Sequence, residues 1–157
     1  PCTAKKMEIR KETVAPYIDS ALTFEELQAV LDSRDIDITT LEEENLEDAS
    51  YFGRIFAHTG GLSSAVKQGM KEQGAEDFVL KPVVCDGIEE CKIALLKLRR
   101  NMLDGNFMEG MACQGGCVNG NGNLTHMAKS RMDVEKYGKE AADKTIGGAI
   151  SEFSVKS

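Results

Sequence analysis

Two strand-like segments flank one strongly helical segment in the second half of the chain, and this order constrains the fold more than any other feature. Residues 77–85 (DFVLKPVVC) and 106–112 (NFMEGMA) are short and rich in apolar residues, as strands are. Residues 87–103, between them, repeat apolar side chains at helical spacing. Because strands that alternate with helices tend to pair in parallel, we predict an α/β fold with a small, largely parallel β-sheet flanked by helices.

The rest of the chain is predicted to be mainly helical. Thr23 and Glu26 have the spacing of a helix-capping box, and residues 59–61 (TGG) predict a tight loop before a helix that stops at Gly74. Pro82 indicates that its strand lies at an edge or bends. The further predicted elements are helices at 23–35, 62–73 and 130–150 and a short strand at 36–40.

The length and net charge of the chain indicate how many domains it forms and which partners it excludes. The 157 residues match one ordinary domain, so we expect residues 1–157 to form a single domain. Twenty-six acidic residues against 19 basic ones give a formal net charge of -7, which repels the phosphate backbone of nucleic acids. No apolar run predicts a membrane-spanning helix. Neither nucleic acid nor a membrane is therefore an expected partner. The acidic segment 41–48 is expected to be a solvated loop or the start of a helix, with attraction of a basic protein as the alternative.

The cysteines point to reduced thiols, with some of them as metal ligands, rather than to disulfides. Five cysteines are an odd number, and they do not form the dense framework of a small secreted protein. Since the chain has two histidines, any metal site would be dominated by thiolates, which favours an iron–sulfur cluster or zinc. Zinc is the less favoured of the two, because the usual paired spacings of its ligands do not occur. Cys85 and Cys91 are expected to be small buried hydrophobic residues.

The segment GMACQGGCVNGNGN (residues 110–123) is the candidate ligand loop. It places Cys113 and Cys117 four residues apart, with Gly115 and Gly116 between them. Glycine allows positive φ angles and lets backbone N–H groups approach a ligand, and convergent N–H dipoles stabilise an anionic cluster. The spacing on its own also allows thiols that bind nothing, because two cysteines cannot complete a site of four thiolates.

A second candidate segment, PCTAKKMEIRKE (residues 1–12), contains Cys2. Lys5 and Lys6 add positive charge, which favours a thiolate and can contact an anionic ligand. The two segments resemble signature motifs of the iron-only ([FeFe]) hydrogenases, MPCxxKKxE and FxExMACxGGCxxGGGQ, and RIFAHTGG (residues 54–61) is similar to a further family segment, IFGATGG. The matching residues are Pro1, Cys2, Lys5, Lys6 and Glu8 in the first motif and Phe107, Glu109, Met111, Ala112, Cys113, Gly115, Gly116, Cys117, Asn119, Gly120 and Gly122 in the second.

The resemblance implies an oxidoreductase that reversibly interconverts protons, electrons and H2. Its cofactor would be an H-cluster, in which a [4Fe-4S] cluster is joined through a cysteine thiolate to a two-iron unit. The resemblance also implies a ferredoxin-like electron carrier as partner and a cytoplasmic location in an anaerobic organism. The fold that it implies is one lobe of a two-lobed catalytic domain.

The same resemblance implies roles for individual residues. The implied metal ligands are Cys2, Cys113 and Cys117, and the implied cofactor-binding glycines are Gly115 and Gly116. Cys117 would also bridge to the two-iron unit. The implied catalytic residues are Lys5, which would donate a charge-assisted hydrogen bond to a cyanide of the cofactor, and Met111, which would pack against the two-iron unit.

The sequence departs from the family pattern in two respects. The motif that supplies a fourth cysteine ligand does not occur in these residues, so we expect the C-terminal part of the catalytic domain, inactive alone and in contact with the remainder of that domain. Gln114, Asn121, Asn123 and Leu124 differ from the common pattern, as in divergent branches of the family. The alternative hypothesis is therefore a sensory relative or a factor that carries iron–sulfur clusters for assembly. An apolar face left by the missing lobe could also pair two copies of this chain.

Overall fold

The computed structural model describes residues 2–44, 49–75 and 77–154, so Pro1 and the end of the acidic segment 41–48 lie outside the described residues. The helices are α1 (Thr3–Glu8), α2 (Phe24–Asp32), α3 (Tyr51–Arg54), α4 (Gly61–Glu72), α5 (Ile88–Arg99), α6 (Lys129–Lys139) and α7 (Ile146–Ser154). The strands are β1 (Pro82–Asp86) and β2 (Phe107–Met111), and short 3-10 turns occupy Ile38–Thr40 and Cys117–Asn119.

Strands β1 and β2 form a parallel sheet. Their register pairs Pro82 with Phe107 and Asp86 with Met111, and α5 connects the strands and packs against both. Pro82 begins β1, where its missing N–H does little harm to the ladder. The predicted α/β fold with a small parallel sheet and flanking helices is confirmed. Because parallel strands end at the same edge of a sheet, Asp86 lies beside the point where the chain leaves β2.

The predicted helix starts are confirmed at two places. In the capping box of α2, Glu26 N–H donates to Thr23 Oγ1 at 3.2 Å and Thr23 N–H donates to Glu26 Oε2 at 2.8 Å. The tight loop at 59–61 is also present, with Gly60 at φ 91° as the N-cap of α4. This helix ends just before Gly74, which has φ 70°. The segment predicted as helical at the C-terminal end forms two helices, α6 and α7.

The prediction of a strand at 36–40 is wrong. Asp35 has φ 54°, which turns the chain before this segment can extend. The Asp37 carboxylate then accepts hydrogen bonds from the Thr39 N–H at 2.9 Å and from its hydroxyl at 2.7 Å, and a 3-10 turn follows. A local bond between side chain and backbone therefore outweighs the strand preference of isoleucine and threonine here.

A buried carboxylate joins the sheet to α4. Glu109 in β2 is 1% exposed. Its Oε1 accepts a hydrogen bond from the Gly60 N–H at 2.9 Å, and its Oε2 accepts bonds from the Ser63 N–H at 2.8 Å and from the Ser63 hydroxyl. The first N–H groups of a helix have no partner within the helix, and the dipole there favours negative charge. Glu109 thus caps α4 from the neighbouring strand.

The hydrophobic core is small for the length of the chain. Among the described residues, the buried hydrophobic side chains are Ile55, Cys85, Ala65, Ala94, Ala141 and Ala149. The chain exposes 11612 Å², whereas a compact monomer of this mass would expose about 7,800 Å². Large apolar side chains on α5 are half exposed, with Ile93 at 53% and Leu96 at 55%. A surface of this kind normally contacts another domain or chain.

Within the described ranges, no helix is both long enough and apolar enough to cross a lipid bilayer.

We expect Glu109→Ala to lower the free energy of unfolding by about 2–4 kcal/mol, because three donors at the start of α4 lose their buried acceptor. Urea denaturation followed by circular dichroism measures this change. Glu89→Ala is the matched control, since the Glu89 side chain on α5 is 75% exposed and its loss should change stability by less than about 0.5 kcal/mol. Equal effects of the two substitutions would contradict the capping role of Glu109.

Candidate functional site

The cysteine loop (residues 113–123) follows β2 and turns at two consecutive glycines. Gly115 has φ 79° and Gly116 has φ 96°, which are conformations that favour glycine. A Cβ on Gly116 would lie 2.6 Å from both the Ala57 carbonyl oxygen and the Thr59 nitrogen, so no side chain fits there. The close approach that Gly116 permits is therefore to the protein's own backbone.

Backbone hydrogen bonds fasten the cysteine loop to residues 57–59. The Thr59 N–H donates to the Gly115 carbonyl at 3.2 Å, and the Val118 N–H donates to the Ala57 carbonyl at 2.9 Å. These bonds hold the middle of the loop from one side. The loop is consequently part of the packed structure rather than a free surface turn.

Asp86 holds the loop from the sheet. Its Oδ1 accepts a hydrogen bond from the Gly115 N–H at 2.6 Å and one from the Thr59 hydroxyl at 2.7 Å. Asp86 is the last residue of β1, so the parallel register places it where the loop begins. Asp86 was not among the predicted site residues. A polar side chain at the carboxyl end of a parallel strand is the signal that could have found it, because sites form at this edge.

The structure brings together the two segments that carry the predicted metal ligands. Cys2 is the N-cap of α1 and is half-buried, Cys113 is half-buried, and Cys117 is exposed. Thr3, the first residue of α1, is hydrogen-bonded to Asn121 of the cysteine loop. Cys113 Sγ lies 3.7 Å from the position that a Cβ on Gly120 would take, so the sulfur sits over this glycine.

The donor set suits a cluster better than a single metal ion. Among the residues that the structure describes, no three His, Cys, Asp or Glu side chains converge closely enough to hold one ion. A zinc site needs such convergence, because four ligands surround the same ion. In a [4Fe-4S] cluster the thiolates bind around a larger body, so their sulfurs need not meet at a point. Three free thiols, carried by two segments that are hydrogen-bonded to each other, fit this kind of ligation.

Lys5 lies close to two of the three thiols. Its ammonium group is paired with Glu8. The hydrogen bond to this carboxylate is the main cause that raises the pKa of Lys5, and the nearby Cys2 and Cys117 raise it further. Lys5 is therefore protonated at neutral pH and stands within electrostatic reach of both cysteine segments.

Met111 and the two remaining cysteines lie at the sheet. Met111 is half-buried at the end of β2, and its carbonyl accepts hydrogen bonds from the Gly87 N–H at 2.8 Å and from the Cys91 thiol at 3.7 Å. Cys85 is buried as predicted, and burial raises the pKa of its thiol. Cys91, which was predicted to be buried, is half-buried.

A hydrogen-bonded network supports the backbone beneath the cysteine loop. His58 is 5% exposed, and its Nδ1 lies 3.0 Å from the Thr59 carbonyl, which can only accept, so Nδ1 donates. Its Nε2 lies 3.2 Å from Glu135 Oε2, and the Tyr51 hydroxyl donates to Glu135 Oε1 at 2.7 Å. The bond from Tyr51 is the main cause that lowers the pKa of Glu135, and His58 and Lys139 lower it further. No sequence pattern links these residues, because they come from distant parts of the chain.

Comparison with known proteins identifies relatives of this chain. The family model described as iron only hydrogenase large subunit, C-terminal domain, matches residues 1–121. Iron hydrogenase 1 of Clostridium pasteurianum is 29% identical over 87% of this chain and 30% of its own length. The human protein nuclear prelamin A recognition factor is 24% identical over 78% of this chain and 34% of its own length. The chain thus spans about a third of the length of these curated relatives.

We expect Asp86→Ala to loosen the cysteine loop, because the Gly115 N–H and the Thr59 hydroxyl lose their shared acceptor. Amide hydrogen exchange at Gly115 should become about 10-fold faster, and stability should fall by about 1–3 kcal/mol. Asp104→Ala is the control, since this aspartate is exposed in the turn before β2. Unchanged exchange at Gly115 would show that Asp86 does not hold the loop.

We expect part of the acid sensitivity of the fold to come from Glu135. Its pKa is lowered in the folded state, so it stabilises the protein above its ordinary pKa of 4.5, and this stabilisation is lost as the pH falls through the folded-state pKa. Urea denaturation between pH 6 and pH 3 should show a smaller loss of stability for Glu135→Gln than for the unmodified chain. An identical pH dependence of the two would refute this contribution.

Proposed function

We propose, from the premise that this chain belongs to the family of the iron-only hydrogenase large subunit, C-terminal domain, that residues 1–157 form the C-terminal part of a hydrogenase catalytic domain. The observation that carries the proposal is the meeting of the Cys2 segment with the cysteine loop, beside a protonated lysine. Both segments lie within the matched residues.

Three thiols are the proposed metal ligands in this chain. Cys2 and Cys113 would ligate the [4Fe-4S] part of an H-cluster, and Cys117 would ligate it and bridge to the two-iron unit. The exposure of Cys117 supports this division, because a thiol that bridges to a second unit must face away from the protein's own packing. When bound, the H-cluster supplies the redox chemistry that interconverts protons, electrons and H2.

The other proposed site residues would bind and orient the cofactor. Lys5 would donate a charge-assisted hydrogen bond to it, for which its ammonium group would turn from the exposed partner Glu8. Met111 would contribute a soft apolar wall. Gly115 and Gly116 would keep the backbone of the loop in the conformation that presents both loop thiols, since Asp86 and residues 57–59 already hold it there.

We propose that the whole protein is an oxidoreductase that acts on H2 in the cytoplasm of an anaerobic organism and exchanges electrons with a ferredoxin-like carrier. This chain alone would be inactive. It presents three thiols for a cluster that takes four, and one of the three is exposed to solvent. A dry, enclosed pocket, which such chemistry needs, would require a covering partner.

The remainder of the catalytic domain is the proposed covering partner. The excess of exposed area and the half-exposed apolar side chains of α5 support an extensive interface of the obligate kind. A second copy of this chain could cover the same surface when the remainder is absent. Sedimentation of the chain alone distinguishes a monomer from such a dimer.

A second candidate function is a non-catalytic role, either sensory or in carrying iron–sulfur clusters for assembly. One observation favours it, namely the match to a human protein whose name, nuclear prelamin A recognition factor, does not describe a hydrogenase. The loaded full-length protein separates the two roles. Infrared bands of metal-bound carbonyl and cyanide are expected for a hydrogenase and would be absent from a protein that carries only a [4Fe-4S] cluster.

We expect anaerobic reconstitution of the chain with iron and sulfide to give the electron paramagnetic resonance signal of a reduced [4Fe-4S] cluster. The Cys113→Ser, Cys117→Ser double variant should lose the signal, because two of the three proposed thiolates are removed. Cys85→Ala is the control, since this buried thiol belongs to the packing of β1 and its loss should leave the signal in place. A signal that survives in the double variant would contradict the proposed ligands. The absence of a signal from the unmodified chain would mean that ligation needs the fourth cysteine, supplied by the remainder of the domain.

A further inference from the structure

One side chain joins the two cysteine segments directly. Asn121 Nδ2 donates a hydrogen bond to Thr3 Oγ1 at 2.7 Å, and the Thr3 N–H donates to Asn121 Oδ1 at 3.4 Å. The pairing is reciprocal, so it fixes the direction of the asparagine amide as well as its distance from the helix. Thr3 follows Cys2 immediately and begins α1.

The pairing links points that are far apart in the sequence. Thr3 and Asn121 are separated by 118 residues, and Asn121 lies four residues after Cys117. Closing so long a loop costs conformational entropy that local interactions do not supply. The hydrogen bonds between Thr3 and Asn121 therefore fix the position of the N-terminal segment against the cysteine loop.

The loop presents Asn121 on a fixed backbone. Asn123 Nδ2 donates to the Cys117 carbonyl at 2.8 Å and to the Gly120 carbonyl at 3.0 Å. These bonds link the residues before Asn121 to a residue after it and so restrain the backbone at Asn121. The carbonyl of Gly122 accepts a hydrogen bond from the Phe24 N–H at 2.9 Å. The Asn123 side chain thus bonds to the loop's own backbone, whereas the Asn121 side chain bonds to α1. Asn123→Ala is therefore a matched control for Asn121→Ala.

A second interaction joins α1 to α2. Lys6 Nζ lies 2.6 Å from Glu26 Oε2 on α2, and Glu26 belongs to the capping box of that helix. Exposed ion pairs of this kind contribute little on their own. The short helix α1 is thus held by two interactions, the ion pair with Glu26 and the pairing with Asn121. The pairing with Asn121 is the one that lies next to Cys2 in the sequence.

We propose that Asn121 is a positioning residue that holds Cys2 beside Cys113 and Cys117 and so prepares the third thiol for cluster ligation. This inference rests on the proposed function, since the ligand it serves is the cluster. Asn121 itself contacts no cofactor in this assignment. It acts through Thr3 on the placement of Cys2.

Thiol alkylation with peptide mapping tests the inference in the complete chain without any cluster. Iodoacetamide labelling of Cys2 should become about 3- to 10-fold faster in Asn121→Ala, because the segment that carries Cys2 spends more time away from the loop. Thr3→Val should accelerate labelling to a smaller extent, because it removes the hydroxyl bond but keeps the backbone N–H that donates to Asn121 Oδ1. The double variant should show no further increase over Asn121→Ala, which already removes both bonds. Unchanged labelling of Cys2 in Asn121→Ala would overturn the proposal.

Controls separate local release from general unfolding. Asn123→Ala should leave the labelling of Cys2 near that of the unmodified chain. Asn121→Asp should restore slow labelling, because its carboxylate still accepts from the Thr3 N–H and hydroxyl. Cys85 reports on the core, so its labelling should stay slow in all of these variants. Equal acceleration of Cys2 and Cys85 in both Asn121→Ala and Thr3→Val would mean that the pairing stabilises the whole fold, which would also overturn the proposal.

Reconstitution with iron and sulfide connects the inference to the cluster. Asn121→Ala should retain several-fold less iron than the unmodified chain after gel filtration, whereas Asn121→Asp should retain a similar amount. If Cys2 is released as expected but the unmodified chain binds no cluster, cluster ligation by this chain without its partner fails while the link between Asn121 and Cys2 stands. If the unmodified chain binds a cluster and Asn121→Ala retains it equally well, the positioning role is refuted.

Discussion

The candidate site depends on one backbone contact, in which Gly116 lies directly against residues 57–59. A single Cβ at Gly116 would meet three main-chain atoms at 2.6–2.7 Å, and main-chain atoms cannot move aside as a flexible side chain can. The hydrogen bonds from Thr59 to Gly115 and from Val118 to Ala57 follow from this contact. The positions of Cys113 and Cys117 follow in turn, since both belong to the same short loop.

Acidic side chains hold several of the parts together. Glu109 caps α4, Asp86 accepts the Gly115 N–H, and Glu72 accepts the N–H groups of Ile146 and Gly147 at the start of α7. In each case a carboxylate on one element binds N–H groups on another. Glu109 and Glu72 do so at the start of a helix, where the dipole favours negative charge. Part of the net charge of -7 is therefore carried by carboxylates that connect two elements of the fold, and not only by side chains of the solvated surface. A chain with so small an apolar core relies on such bonds to fix the relative positions of its elements.

Much of the fold could be predicted from local patterns, and most of the support for the site could not. The strand, helix and strand around α5 are visible in the spacing of apolar residues, and the capping box of Thr23 and Glu26 is visible as a motif. The segment 36–40 misled the prediction, because Asp37 bonds to Thr39 and the backbone forms a 3-10 turn instead of a strand. The cysteines and glycines of the candidate site stand out as motifs in the sequence, and their roles as ligands stay a prediction. Asp86, His58 and Asn121 acquire their roles through partners 27 to 118 residues away, and no periodicity in the sequence carries that information.

The separation of the two cysteine segments has a consequence for the order of assembly during synthesis. The contact that brings Cys2 to the cysteine loop closes over 118 residues, and contacts of such long range form late in folding because they require the intervening chain to be in place. The sheet that anchors the loop also needs β2, which is among the later elements of the chain. A polypeptide that has not yet been translated past residue 121 therefore cannot bring Cys2 together with Cys113 and Cys117. An iron–sulfur cofactor would be received by a chain that has already been translated past residue 121 and folded.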